Sequence, residues 1–388
     1  KWEDNLKHVD ELGGPKWVNH FPSAWAHAMN TPFQWTKQVA SHFGGTRNPM
    51  VISWPAKIKD RGALRSQFLH VIDIVPTLYE AAGITPPEML NGIPQQPIEG
   101  ASFLQTFTAE KTPETRTTQY FELLVNRGIY HDGWMASSRS FVPWVPVRGE
   151  FDPLTARWEL YHVDKDFTQA DDVAARYPDK VKELEALFWT EGEKYKVLPL
   201  DWRGVERLNA ELQGRPSLAG KRDKYVYYPG QIALPDGASP PVLNKSFSVT
   251  AELAIPEAGA LGMVFNHGGL TGGYGIYLRE GKAHFVYNML AIERFTIVSD
   301  ALPKGKVALA VNVAYEGKPG ELGKPATVTI SANGKKIGEG KLPKTVPLQF
   351  ALGEGVDVGM DTGSAVDFTY KLPFAFTGKI EKVTVELK

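Results

Sequence analysis

Hydrophobic positions along this chain follow three successive rhythms. In residues 1–117, short apolar runs are separated by Gly and Pro breaks. Met50-Val51-Ile52-Ser53-Trp54, stopped by Pro55, reads as a buried strand, being short, apolar and β-branched. Asp73 is a good N-cap, Pro76 suits a first turn and Gly83 offers a left-handed stop, which together predict a helix over 73–83. Its Ile74, Val75 and Leu78 form an apolar side expected to pack on a sheet. Residues 84–117 are loop-rich.

From Thr118 the period becomes two. The runs 119–130, 133–139 and 157–163 predict antiparallel strands of a small sheet. A short acidic helix is expected around Asp171-Asp172, then a longer one from Pro178, with Val181, Leu184, Leu187 and Phe188 as its buried stripe. Residues 206–224 are polar, broken by Pro and Gly, and read as a linker. Residues 225–388 carry only short alternating runs, separated by turn signals such as Glu280-Gly281 and Asn333-Gly334, the pattern of a β-sandwich. Gly268-Gly269 and Gly272-Gly273 could line a groove, but read better as a mobile hairpin.

The predicted domains are therefore 1–117, 118–205, the linker 206–224 and 225–388, consistent with a chain of 388 residues. No apolar run reaches the length of a membrane span. A net charge of -1 argues against a nucleic-acid binder. The absence of cysteine excludes disulfides and thiolate metal sites but leaves the compartment open. Composition likewise leaves the oligomeric state open.

Candidate chemistry centres on residues 32–55. Lys37 precedes Gly44-Gly45, paired glycines that mark a tight turn or a close backbone approach. The lysine reads either as a solvated surface residue or as a point charge for an anion held at that loop. His42 could donate to such an anion or hold the loop by a structural hydrogen bond. Arg47 is expected to tie the turn to a neighbouring carboxylate. Asp4-Asn5 has donors suited to a hard cation, but no strand precedes it and Leu6 follows, so it is not taken as a metal pair. His20, Trp25 and His27 read as aromatic packing.

Lys37, Gly44-Gly45-Thr46-Arg47-Asn48-Pro49, Trp54-Pro55, Asp73-Ile74-Val75-Pro76-Thr77-Leu78 and Leu160-Tyr161 through Asp166 occur in the order found in type I sulfatases. Residues 1–205 resemble the C-terminal portion of such a domain, close to bacterial arylsulfatases. The resemblance implies an α/β fold of the alkaline-phosphatase type with a small antiparallel subdomain. The all-β part resembles a concanavalin-like jelly roll, a fold that often binds glycans.

The resemblance further implies sulfate-ester hydrolysis through a formylglycine nucleophile and calcium, with Lys37 contacting sulfate and His42 as a second substrate-binding candidate. It also implies an active-site rim at His20, Trp25 and His27, as the alternative to aromatic packing. The chain has no cysteine and no Ser-x-Pro-x-Arg, so formylglycine and the calcium ligands are expected on a missing N-terminal half that would act as partner. The alternative is a non-catalytic glycan-binding or interaction module built on a sulfatase remnant.

Overall fold

The computed structural model describes residues 2–14, 22–140, 142, 152–214, 216–351 and 353–388. The chain divides into two compact units, residues 21–202 and residues 203–388 with 1–20. A short helix, α1 (Trp2–Lys7), opens the chain. It contains the Asp4-Asn5 pair, whose side chains lie outside the described residues, as does His20.

In the 21–202 unit, α2 (Ser23–Asn30) and α3 (Phe43–Thr46) bracket the loop that carries Lys37, and α4 (Ile74–Ala82) follows. A minimal hairpin pairs β1 (Met89–Leu90) with β2 (Ile93–Pro94). A four-stranded antiparallel sheet then runs in sequence order through β3 (Thr118–Leu123), β4 (Asn126–His131), β5 (Trp134–Ser138) and β6 (Glu159–His162). Alternation along these strands gives the sheet two apolar faces. Ile129, Ala136 and Leu160 meet Leu184 and Phe188 of α5 (Pro178–Lys194), while Tyr130, Met135 and Tyr161 pack on Phe43.

Four expectations are corrected in this unit. Residues 50–54 form no strand, and Val51 is 94% exposed. A strand is stabilised by its ladder, and among the described residues none pairs with this run. The helix forms where expected, ending at Gly83 with φ +66, but Val75 and Leu78 are exposed rather than packed on a sheet.

The expected single strand 119–130 is folded into a hairpin at Leu124 (φ +52) and Val125 (φ +59). The Val125 N–H donates to the Glu122 carboxylate at 2.8 Å, which helps hold a left-handed conformation that β-branched residues rarely adopt. No helix forms around Asp171-Asp172. The Asp166 carboxylate instead accepts the N–H groups of Ala170 (3.0 Å) and Asp171 (2.9 Å), and Asp172 accepts those of Leu160 and Ala174 (both 3.0 Å). Local side-chain acceptors thereby displace the helical ladder.

In the other unit, the expected linker holds α6 (Ala210–Gln213), capped by Asn209. Apart from a 3-10 turn at Asp236–Ala238, the elements that follow are strands: β7 (Lys224–Tyr227), β8 (Phe247–Ile255), β9 (Gly262–Gly269), β10 (Gly272–Arg279), β11 (Lys282–Met289), β12 (Glu293–Ala301), β13 (Gly305–Tyr315), β14 (Ala326–Ala332), β15 (Lys335–Leu342), β16 (Val356–Val358) and β17 (Lys379–Leu387). They form a five-stranded sheet, β12-β11-β10-β9-β16, and a six-stranded sheet, β15-β14-β13-β8-β17-β7, both antiparallel. Inward residues of both, among them Val249, Val311, Phe265 and Phe285, share one core.

The glycine pairs expected to be mobile are instead buried in the β9–β10 hairpin, with Gly273 opposite Gly268. A Cβ at Gly268 would collide with the Gly272 carbonyl, so the pairing leaves no room for a side chain.

Candidate active-site loop

The loop around Lys37 is built by amide side chains that grip its backbone. Thr36 to Val39 make a turn closed by Val39 N–H to Thr36 C=O at 3.1 Å, with Lys37 and Gln38 at its corners. Gln38 has φ +78, the left-handed value a type II turn demands of its second corner, and Trp35 just before has φ +66. Neither is glycine, so both positions carry strain that the surroundings must offset.

Asn30 supplies part of that support, donating to the carbonyl oxygens of Trp35 (3.1 Å) and Gly44. Asn126, fully buried on β4, donates to the Gln38 carbonyl at 3.3 Å. The buried Gln169 accepts the Phe43 N–H at 2.6 Å, and Gln34 donates to the Gln169 carbonyl. Gly44 and Gly45 fill the role expected of them: a Cβ at either would strike backbone carbonyls of the Gln34–Val39 loop.

Lys37 is exposed and has no hydrogen bond or ion pair with the described residues. His42 is placed quite differently. Its ring is 1% exposed, Nε2 meets the Glu159 carboxylate at 2.9 Å and Nδ1 meets Ser41 Oγ at 2.9 Å. With both nitrogens engaged, His42 acts on the loop in this conformation and has no free donor for a ligand. The Ser41–His42–Glu159 row has the residue types of a nucleophilic triad. Ser41 is fully buried, however, and no substrate could reach it.

Glu159 is the electrostatic hub. Its carboxylate accepts from His42, from Tyr161 Oη at 2.7 Å and from Arg157 at 3.2 Å. The hydrogen bond from His42 is the main reason its pKa falls from 4.5 to about 2, burial opposing and Tyr161 and Arg157 assisting. Burial and the adjacent Glu159 push the Tyr161 phenol upward.

Arg47 makes no carboxylate pair among the described residues. Its guanidinium instead lies 4.0 Å from the Phe167 ring centroid and near Phe33 and Phe43, and burial lowers its pKa. On α2, Trp25 and His27 are exposed and contribute no core packing.

Sequence reasoning missed Asn30, Asn126, Glu159 and Gln169. Asn126 had a legible signal: an amide inside the apolar run Leu123-Leu124-Val125-Asn126 must find partners if buried. The residues present do not fit formylglycine or calcium. Cysteine is absent from the sequence, and among the described residues no three His, Asp or Glu side chains are grouped to hold a metal.

The sulfatase family profile matches residues 2–84, the part of the chain that contains this loop. Over 187 residues, 47% of this chain and 31% of the relative, the chain is 27% identical to an uncharacterized sulfatase of Schizosaccharomyces pombe. Over 101 residues, 26% of this chain and 22% of the relative, it is 31% identical to an arylsulfatase of Klebsiella aerogenes. Less than a third of either relative is thus spanned. A solved structure from Bacteroides thetaiotaomicron, reported with the metabolism of multiple glycosaminoglycans, aligns over 39% of this chain and 30% of that one with 21% identity and a TM-score of 0.30. These matches support a sulfatase-family protein, the profile covering residues 2–84 of the chain.

Proposed function

We propose that this chain is the C-terminal portion of a sulfuric ester hydrolase and lends Lys37 to a sulfate-binding site completed by other polypeptide. The observation that carries this reading is an exposed lysine without a counter-ion among the described residues, whose backbone is held in a turn between two strained residues. An unpaired cation on a preformed turn suits an anionic ester, because stabilisation of developing charge depends on donors already in place. The formylglycine and calcium of sulfatase chemistry would belong to the completing polypeptide, and no step through either is assigned to residues of this chain.

The surface of the 21–202 unit supports the need for completion. Met50, Val51, Ile52, Leu64, Val75 and Leu78 are all exposed. Exposed apolar groups so close in sequence fit a surface made to be covered. The run 50–53, with backbone groups unpaired by any described strand, suits addition to a sheet supplied by an alkaline-phosphatase-type core. We read the two-sheet unit as a concanavalin-like β-sandwich appended to that enzyme.

The test is turnover of 4-nitrophenyl sulfate. The 388-residue chain alone is expected to be inactive. Co-expression with the coding sequence upstream of it is expected to give activity that Lys37→Ala lowers by about 10²–10³ in kcat, the loss seen when one oxyanion donor is removed. Turnover by the chain alone, or an unaffected Lys37→Ala assembly, overturns the reading.

A further inference from the structure

A second cation stands beside the Lys37 turn. Arg139 follows directly on β5, and its guanidinium carbon lies 4.3 Å from the centroid of the Trp35 ring. The next residue, Ser140, donates its N–H to Asn126 Oδ1 at 3.1 Å, while Asn126 Nδ2 donates to the Gln38 carbonyl at 3.3 Å. One buried amide therefore joins the backbone after Arg139 to the backbone after Lys37. Ser140 Oγ also donates to the Val125 carbonyl at 3.0 Å, gripping the strained Leu124–Val125 hairpin.

Four non-glycine residues with positive φ, Trp35, Gln38, Leu124 and Val125, lie on the two backbone segments that Asn126 and Ser140 tie together. Strain concentrated in one place persists only where surrounding bonds over-determine it, and such places are commonly functional.

Arg139, like Lys37, has no carboxylate partner or hydrogen bond with the described residues. Stacking on an indole engages only the face of the guanidinium and leaves its N–H edges free. Those edges match the oxygens of an oxyanion in a way an ammonium cannot. We propose that Arg139 is a second anion-binding residue of the Lys37 site, the two forming a clamp on the sulfate group, with Trp35 holding the fork and Asn126 setting the spacing. This rests on the reading of Lys37 given above.

The probe is inorganic sulfate, titrated calorimetrically into the full chain at low ionic strength. Wild type is expected to bind saturably. Arg139→Gln is expected to weaken binding about fivefold, the upper range for one solvent-accessible ion pair. Arg139→Lys should restore part of the loss, since it returns the charge without the fork. Thermal unfolding of each variant checks that the fold is kept, and a purely structural role for Arg139 would not yield rescue by lysine.

If Lys37→Ala weakens binding and Arg139→Gln does not, the clamp is refuted and the Lys37 reading stands. If only Arg139→Gln weakens it, the anion sits on Arg139 and the Lys37 reading falls. No saturable binding by wild type overturns the proposal.

Discussion

Replacing Glu159 with Gln tests how the Lys37 loop is held. The Glu159 side chain is 19% exposed, and its pKa falls from 4.5 to about 2. At about 1.4 kcal/mol per pH unit, that depression corresponds to about 3 kcal/mol of stability, or about 2 once residual structure in the unfolded chain is allowed for.

The sign follows from proton binding. Between pH 4.5 and 2 the unfolded chain holds the proton that the folded chain refuses. The contribution is therefore complete above about pH 5 and lost as pH falls toward 2. Glu159→Gln can still accept from His42 and Tyr161 but has no charge to lose. The variant should be about 2 kcal/mol less stable than wild type at pH 7, with the gap closing toward pH 2.

The assay is urea unfolding followed by tryptophan fluorescence. Eight of the 10 tryptophans lie within residues 21–202, so the signal comes mainly from that unit. Other carboxylates contribute equally to both proteins and cancel in the difference. A gap of constant size from pH 7 to pH 2 would refute the reasoning.

Two further outcomes are expected. Asp361 is fully buried and its pKa is lifted to about 6, chiefly by burial, with Asp357 and Glu354 adding and the Tyr370 hydroxyl opposing. Its folded form prefers the proton, so stability present below pH 3.8 is lost as pH rises through about 6. Asp361→Asn should therefore stabilise the two-sheet unit by about 2 kcal/mol at pH 8 and not at pH 4, read by tyrosine near-ultraviolet circular dichroism. Lys37→Ala should change the unfolding free energy of the 21–202 unit, measured in urea, by less than about 0.5 kcal/mol, because an exposed side chain without partners contributes little to stability. A larger loss would show that the lysine is structural.

The parts of the fold legible in the sequence are those where one local rule and the tertiary environment agree. Pro178 and the stripe ending at Phe188 give the long helix because the face they mark is also the face covered by the sheet. Asn333-Gly334, with φ +49 and +80, turns as its residues demand.

Reading failed where a distant partner decides. Nothing local in Leu124-Val125 signals a turn, and that hairpin is held by Glu122 and Ser140. The apolar run at 50–54 has strand chemistry, but forming a strand depends on a neighbour that is not among the described residues. Arg47 has the charge for a carboxylate, yet Phe167 and two other rings offered a cheaper environment. At the site, Lys37 could be singled out from its motif, whereas Asn126 and Glu159 act through bonds spanning 88 and 117 residues of sequence.

The exposed apolar run and the Lys37 turn differ in what stabilises them. Phe43 packs on the strand face of Tyr130, Met135 and Tyr161, and that sheet carries α5 on its other face. The turn is thus anchored to a region with both faces covered. Residues 50–53 have exposed side chains and no strand partner among the described residues. Opening free energy follows local packing and hydrogen bonding, so the two segments should exchange amide hydrogens very differently. Val39 and Gly44, whose N–H groups donate to Thr36 (3.1 Å) and Gln34 (3.0 Å), should be protected, and Val51 and Ile52 should exchange at nearly the free rate. If so, the turn that bears the ammonium is already ordered before any covering polypeptide arrives, and its ordering entropy is not charged to substrate binding. Equal, fast exchange at Val39 and Val51 would mean that the turn is ordered only on assembly, and the preformed cation would have to be abandoned.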